Sequence, residues 1–527
     1  MSNFAPSLAP LPAPPLSDGD ARRLRWVRVG DVMLFAVAGA VLAALVHSLW
    51  VDYLFRVLRR LTWTTREFAW LSLTGYLTCF LVVAVPVAAL AAIWPRWISL
   101  RFVATLFAVL ACFALLLLLP KVHPVAQLVL ALGLGIRAGV VFDRGHRRVR
   151  RQLLRFVCGG ALLLVAAGWV ESDDSRFQLR NAPADRQKGL VDAPNVILLI
   201  LDTVRAANLS VYGYARLTSP SLEALSREGT TFDHAFAAAP WTAPSHASMM
   251  TGLWASQAGA DYLRPMHDSL RTVAGVLSAS GYASGGFVAN SGYAGHQVGI
   301  SRGFTHFEDY ALSFRQAMLS TTLMQTGSGR NIVLAFAQRE LWRIRTAITH
   351  PDLRTLRVSS GQRRSASEIT SRFFAWRDRI GRRPYFAMLN FMDAHGPYDP
   401  PDGFRARFNG GEREIDRYDG GIAYMDSVIG TIVARLRENG DLDHSVFIVT
   451  SDHGEHWGEH ELDGHGGSLY LPLLHVPLLV RAPGRVPAGQ RIAGLVSLRD
   501  MAATLLDVAG VPAGTLPGAS LASAWST

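Results

Sequence analysis

Two kinds of residue in this 527-residue chain could together hold a metal and activate a hydroxyl as a nucleophile beside an anion. The first are carboxylates and imidazoles set just after short apolar runs. Asp202 follows the run 195–201, Asp393 and His395 follow 385–392, and Asp452 and His453 follow 445–450. One acid after one strand is commonly only a helix cap. Three such places, rich in Asp and His, point to a metal site, because carboxylate oxygen and imidazole nitrogen are ordinary donors to a divalent cation. The second is a hydroxyl. Thr242 opens the segment Trp241-Thr-Ala-Pro-Ser-His-Ala-Ser-Met-Met-Thr-Gly252. Pro244 suits a first helical turn, Gly252 suits a helix end, and Thr242 reads as the N-cap. The unpaired N–H groups and dipole of such a terminus favour an anion. A metal-bound hydroxyl loses its proton more readily and becomes a nucleophile.

These groups need a scaffold that gathers strand ends. Asn195-Val-Ile-Leu-Leu-Ile-Leu201 is an unbroken apolar run, as expected of a strand buried on both faces. Shorter runs follow at 284–289, 385–392, 445–450 and 476–480. Helical patterns separate them at 219–228, 268–280, 365–379, 416–438 and 499–509. This alternation predicts an α/β domain over 194–527, with a mostly parallel central sheet and helices on both faces. In such sheets the active groups collect at the carboxyl ends of strands. The stretch near 311–357 is Arg-rich and apolar, and reads as a helical insertion.

The first third has a different character. Residues 1–170 hold 18 Lys/Arg and 6 Asp/Glu, so the whole of the chain's net charge of +11 comes from them; the remainder is close to neutral. All three cysteines (Cys79, Cys112, Cys158) lie there too. Five apolar runs, 32–50, 68–94, 102–119, 125–142 and 152–170, each approach the ~20 residues that cross a bilayer as a helix. We therefore expect a cytoplasmic N-terminus over 1–30, an all-α bundle of five transmembrane helices over 31–170, and a polar linker over 171–193. With the N-terminus inside, eleven basic residues flank the inner side, and five (Arg56, Arg59, Arg60, Arg66, Lys121) the outer. Five crossings would put the later domain outside the cytoplasm, periplasmic if the membrane is a bacterial inner membrane. The Arg-rich loop 51–67 is a candidate interfacial helix. A composition 50% hydrophobic excludes a disordered tail, and three cysteines exclude a disulfide scaffold. Charge confined to membrane flanks removes the case for nucleic acid. Few intramembrane charges, Arg137 the deepest, and no inverted repeat count against a transporter.

The segments "LDTVRAANLSVYGY", "TAPSHASMMTG", "FMDAHGPYDPP", "YDGGIAYMDSVIG", "VTSDHGEHWGEH" and "HGGSLYLPLLHVPLLV", in this order, resemble the sulfatase-like branch of the alkaline phosphatase superfamily. The layout of membrane bundle plus external domain resembles the phosphoethanolamine and phosphoglycerol transferases of that superfamily. The resemblance implies a divalent metal held by Asp202, Asp452, His453 and Thr242, with Thr242 the nucleophile. It implies that His395 and His465, and more loosely His246 and Asp393, bind substrate oxygens or a second metal. A His-containing set favours zinc or manganese over calcium.

The departures shape the activity expected. Formylglycine sulfatases modify a Cys or Ser where this chain has Thr242. They place an Arg where it has His246, and use lysines where it has none after Lys188. A threonine nucleophile suits phosphoryl transfer. The sequence thus predicts an enzyme acting on phosphoesters, in preference to sulfoesters, of an envelope lipid or glycan. Its partners would be a membrane lipid or lipid-linked donor and an envelope glycan acceptor. The alternatives are a sulfuric ester hydrolase that works without formylglycine, or an inactive anion-binding protein on the same fold. His456, His460 and His475 read as loop residues, because Gly454 and Gly458 interrupt a helix there. Tyr398, Asn290 and Arg205 could touch substrate or only pack.

Overall fold

The computed structural model describes residues 18–94, 97–119, 121–180, 193–310, 313–324, 364–512 and 516–525; of 18–28, 143–147 and 168–180 only the backbone is described. Two compact units emerge. One takes in 1–50, 68–169 and 314–344; the other takes in 51–67, 170–313 and 345–527.

The first unit is helical: α1 (Asp18–Asp52), α2 (Phe68–Ile93), α3 (Leu100–Leu116) and α4 (Pro124–Arg180). Three stretches, Val29–Val57, Phe68–Ile93 and Pro124–Phe142, are long and apolar enough to cross a bilayer, and Leu100–Leu116 is shorter. The expected five separate helices become four, because the fourth and fifth apolar runs lie on one helical stretch, α4. The junction 143–151 contains no proline, so helical hydrogen bonding can run through it even where the axis bends. The two halves of α4 nevertheless pack in opposite senses. Gln127 donates to the carbonyls of Leu116 and Leu119 at one end of the bundle. Phe142 meets Phe35, and Arg150 pairs with Asp31, at the other. Gly160 then lies against Val41, back toward the middle of α1. The short helix Phe314–Leu319 packs on α2, where the carbonyl of Ala317 meets Gly75, and Thr322 bonds the hydroxyl of Tyr76 at 2.8 Å. This is the described part of the expected insertion; 325–363 lies outside the described residues. Of the expected linker, 171–180 continues α4, and 181–192 lies outside them.

The second unit is the α/β domain. Its strands are β1 (Asn195–Leu201), β2 (Thr230–Phe236), β3 (Ala283–Val288), β4 (His306–Glu308), β5 (Tyr385–Phe391), β6 (Ser445–Thr450), a small ribbon β7 (His456–Trp457) with β8 (Asp463–Gly464), then β9 (His475–Val476), β10 (Leu478–Arg481) and β11 (Gln490–Ser497). The main sheet runs β11-β2-β10-β6-β1-β5-β3-β4. β1 lies between β5 and β6 and is parallel to both, with Leu201 level with Phe391 and Ile200 with Thr450. β10 is antiparallel to β6 and β2. The sheet is therefore mixed but mostly parallel.

β1 shows why the run is apolar throughout. Val196, Leu198 and Ile200 enter one core with the helices Val273–Ala279 and Met501–Val508. Ile197, Leu199 and Leu201 enter the other with Ala366–Ile380 and Glu414–Glu438. Side chains alternate across a strand, so a sheet covered on both faces needs apolar residues at every position. Because β1, β3, β5 and β6 run the same way in register, their carboxyl ends open onto one rim.

The loop 51–67 belongs to this second unit. Val51 and Asp52 end α1 and Tyr53–Val57 adds a single π turn, so the interfacial helix expected there is corrected to a helix end followed by an irregular stretch over 58–67. Thr62, Thr64 and Thr65 prefer extended backbone, and the polar groups of Thr62 and Thr64 bond Gln297 outside the segment. Leu61 donates to the carbonyl of Leu263 at 2.7 Å and is buried in the domain core.

Candidate metal centre and cleft

Asp202, Asn290, His395, Asp452 and His453 all sit in the loops just beyond the rim, after β1, β3, β5 and β6. A short buried helix, α6 (Thr242–Thr251), brings Thr242 to the same place. Trp241, with extended backbone, is its N-cap, so Thr242 is the first helical residue rather than the cap itself. α6 ends at Gly252, whose φ of +74° favours glycine, and where a Cβ would stand 1.9 Å from the carbonyl oxygen of Pro517.

The ligand atoms of Asp202, Asp452 and His453 lie within 4.8 Å of one another, all buried. Oδ1 of Asp202 and Oδ2 of Asp452 have no hydrogen-bond partner among the described residues. Buried carboxylate oxygens without partners are costly unless a cation meets them. Their other oxygens are held. Oδ2 of Asp202 accepts from Asn290 at 2.8 Å and from Asn390 at 3.3 Å. Oδ1 of Asp452 accepts from the backbone N–H of Thr203 and of His453. Thr203 reaches Asp452 with a φ of +64°, a left-handed conformation that a β-branched residue adopts only under constraint.

His453 places Nδ1 2.9 Å from the carbonyl of Gly454, which fixes the proton there and turns the Nε2 lone pair inward. That Nε2 lies 3.1 Å from Oγ1 of Thr242, and Nδ2 of Asn290 reaches the same hydroxyl at 3.4 Å. The residues present therefore fit a divalent cation held by two carboxylates, one imidazole and one hydroxyl. The electrostatics agree. Burial and the Asp202 carboxylate push Asp452 well above the usual carboxylate range. Burial opposes ionisation of Asp202 as well, but His395 and His453 outweigh it and lower its pKa. Burial, with His465 close by, lowers His453 to about 3, so its imidazole is neutral and able to ligate.

The other candidates divide. His395 and His465 line the cleft over Thr242, their rings 5.1 Å apart, and His465 stands 4.5 Å from the ring of His453. Nδ1 of His395 faces the carbonyl of Gly396, and Nδ1 of His465 faces Oε1 of Glu455 at 2.8 Å. His246 lies one turn along α6, fully buried, with Nδ1 on the carbonyl of Thr242 and 3.5 Å from Asp452 Oδ2. Like Asp202, Asp452 and His453 it is buried below the cleft lining, and its Nε2 has no hydrogen-bond partner among the described residues. Asp393 turns its Oδ2 to the N–H of Ala366, at the start of the helix Ala366–Ile380.

His456 bonds Ser468, His460 stacks on Tyr470 and His475 bonds the carbonyl of Asp233. Arg205 pairs with Glu459, and Tyr398 donates to Glu455. Sequence reasoning missed Glu455, the carboxylate that holds both His465 and Tyr398, although it stands two residues after His453. It also missed the aromatic side of the cleft, Trp63, Trp241, Tyr262 and Tyr293, around a volume of about 530 Å³.

A mixed, mostly parallel sheet with a two-carboxylate, imidazole and hydroxyl site at its rim defines the alkaline phosphatase superfamily fold. Within it the chain belongs to the Sulfatase family, which matches residues 194–511. It is 27% identical to bovine (Bos taurus) arylsulfatase K over 349 residues, 61% of this chain and 63% of that protein, so it spans less than two thirds of that relative's length. It is 23% identical to an arylsulfatase of Clostridium perfringens over 60% of this chain and 75% of that one. Among solved structures, the phosphonate monoester hydrolase of Agrobacterium radiobacter shares 22% identity over 63% of this chain and 77% of that one, with a TM-score of 0.45. The soluble domain of lipooligosaccharide phosphoethanolamine transferase A from Neisseria meningitidis shares 18% identity over 61% and 90%, with a TM-score of 0.44.

Proposed function

We propose that the protein is a metal-dependent hydrolase or transferase of phosphoesters, with Thr242 as its nucleophile. The observation that carries this reading is the placement of Thr242 Oγ1 3.1 Å from His453 Nε2, beside two buried carboxylate oxygens that have no partner among the described residues. Asp202, Asp452, His453 and Thr242 would hold a divalent cation, zinc or manganese by the donor set. Such a cation lowers the pKa of a bound hydroxyl and neutralises charge on a transferring phosphoryl group.

The chain's own residues do the rest. Asn290 orients the Thr242 hydroxyl and Asp202 together. Oγ1, its proton given up to water in the cleft, attacks phosphorus in line; the Oγ1–P bond forms and the bond to the leaving oxygen breaks. The leaving oxygen departs with a proton from His395 or His465, both of which line the cleft over Thr242. Water or a second hydroxyl then cleaves the phospho-threonine, giving hydrolysis or transfer. Thr242 cannot be oxidised to formylglycine, and this favours phosphoryl over sulfuryl esters.

We also propose that the catalytic domain lies outside the cytoplasm, on an N-inside bundle that traverses the membrane five times. The opposed packing of the two halves of α4 supports it. A substrate borne by an envelope lipid or glycan fits that location.

Thr242→Ala in the full-length protein tests the nucleophile. It should remain folded, bind metal and lose turnover of an aryl phosphate by at least about 1000-fold. Wild-type turnover by this variant would refute the assignment.

A further inference from the structure

The loop 51–67 joins two apolar helices, yet its partners lie in the catalytic domain. Thr62 donates its N–H to Oε1 of Gln297 at 3.1 Å, and Nε2 of Gln297 donates back to Oγ1 of Thr62 at 2.8 Å and of Thr64 at 2.6 Å. Arg59 forms an ion pair with Asp268 and also reaches the carbonyl of Met266. Leu61 is 4% exposed in the domain core. These bonds hold Trp63, at a φ of +52°, on the rim of the cleft that contains Thr242.

Trp63 does not stand alone. Its ring is 6.1 Å from Tyr293, which is 5.1 Å from Trp241 and 5.7 Å from Tyr262. Trp241 also packs against His465 at 4.8 Å, so the aromatic wall continues into the metal centre. The outer members keep a face to solvent: Trp63 is 37% exposed and Tyr262 55%. Half-exposed Trp and Tyr present an apolar face beside a polar edge. A hexose ring has the matching form, with C–H groups on its faces and hydroxyls at its rim. Among the polar residues that line the cleft, Ser291 is available for those hydroxyls. An ammonium group would need a carboxylate as well as rings. Glu455 is the carboxylate among the cleft-lining residues, and its two oxygens are already engaged by His465 and Tyr398.

We propose that loop 51–67 is part of the substrate site, and that Trp63 takes the sugar ring of a phosphorylated glycan. The proposal rests on the reading of this cleft as a phosphoester site. Trp63 precedes Phe68, the first residue of α2, by five positions, a reach of at most about 18 Å. If α2 spans a membrane, the sugar bound at Trp63 lies close to its surface, within reach of a lipid-linked glycan.

Direct binding tests the proposal without relying on turnover. Full-length, metal-loaded Thr242→Ala protein is titrated calorimetrically with glucose 6-phosphate, O-phosphoethanolamine and inorganic phosphate, with and without Trp63→Ala or Trp63→Phe. The expected result is that Trp63→Ala lowers the preference for glucose 6-phosphate over inorganic phosphate about 5- to 10-fold, and Trp63→Phe restores most of it. An unchanged preference would overturn the proposal. So would equal weakening of all three ligands, the mark of a structural role, or a wild-type preference for O-phosphoethanolamine that depends on Trp63. Failure of the phosphoester reading is distinguishable, because then none of the three ligands binds, in either the Thr242→Ala or the wild-type protein.

Discussion

Oγ1 of Thr242 and Nε2 of His453, 211 positions apart in sequence, stand 3.1 Å from each other in a buried pocket. Two independent parts of the fold make that contact. The first turn of α6 delivers the hydroxyl, and the carboxyl end of β6 delivers the imidazole. Neither position means much alone; together with Asp202 and Asp452 they make the set of donors proposed to hold the cation.

Removing the cation should cost stability. Asp202 and Asp452 are both fully buried and bear like charge, so the protein without metal must keep a proton on one of them or suffer repulsion. Metal at 100 times its Kd adds about 2.7 kcal/mol. Exhaustive chelation at pH 7 should lower Tm by on the order of 5 °C, and zinc or manganese should restore it. In Asp452→Asn protein, Tm should no longer respond to metal. A wild-type Tm indifferent to chelation, with no metal found by elemental analysis, would argue for the inactive anion-binding alternative.

Asn290 should matter through geometry. Its amide donates to Asp202 Oδ2 at 2.8 Å and to Thr242 Oγ1 at 3.4 Å, tying the proposed metal ligand to the proposed nucleophile. Asn290→Ala should lower kcat or metal affinity about 10- to 100-fold with little change in Tm. Normal kinetics in this variant would show that Asp202 and Thr242 hold their places without it.

A pH effect on stability is expected away from the site. Asp426 is buried and accepts the N–H groups of Ser221 and Leu222 at the start of α5 (Pro220–Ser226). Burial raises its pKa to about 6, against 3.8 for an ordinary carboxyl. Between these values the folded state binds more protons than the unfolded one. This contribution to stability is therefore fully present below pH 3.8 and is lost as pH rises through about 6. The loss is up to about 3 kcal/mol. Asp426→Asn should remove that slope, so its stability relative to wild type should improve from pH 4 to pH 7. Denaturation curves at the two pH values check this, and parallel wild-type and variant trends would contradict it.

Much of the centre was legible because its residues follow apolar runs. The runs before Asp202, His395 and Asp452 are buried on both faces, and burial forces an apolar residue at every position, so the strand ends can be found by eye. Thr242 was legible for a related reason, since Pro244 and Gly252 bracket a helix whose N-terminus it opens. Trp63 was not legible. Nothing local indicates that a loop between two apolar helices makes its bonds to Gln297 and Leu263, because such contacts arise only from tertiary packing. The continuity of α4 was hidden for the opposite reason. The drop in hydropathy at 143–151 marks where the two halves of α4 turn to opposite senses, but the backbone there stays helical. Asp393, a strand-end acid, holds the N–H of Ala366 with one carboxylate oxygen.

The central claim is that Thr242 carries the transferred group. Metal-loaded full-length protein is incubated with membrane extract, quenched in acid, digested and analysed by mass spectrometry. The account predicts an added mass on the peptide containing Thr242, localised to that residue and absent from Thr242→Ala. Bare phosphate, phosphoglycerol and phosphoethanolamine differ in mass, so the adduct also names the group. Turnover of the extract's substrate with no adduct on that peptide would contradict the account.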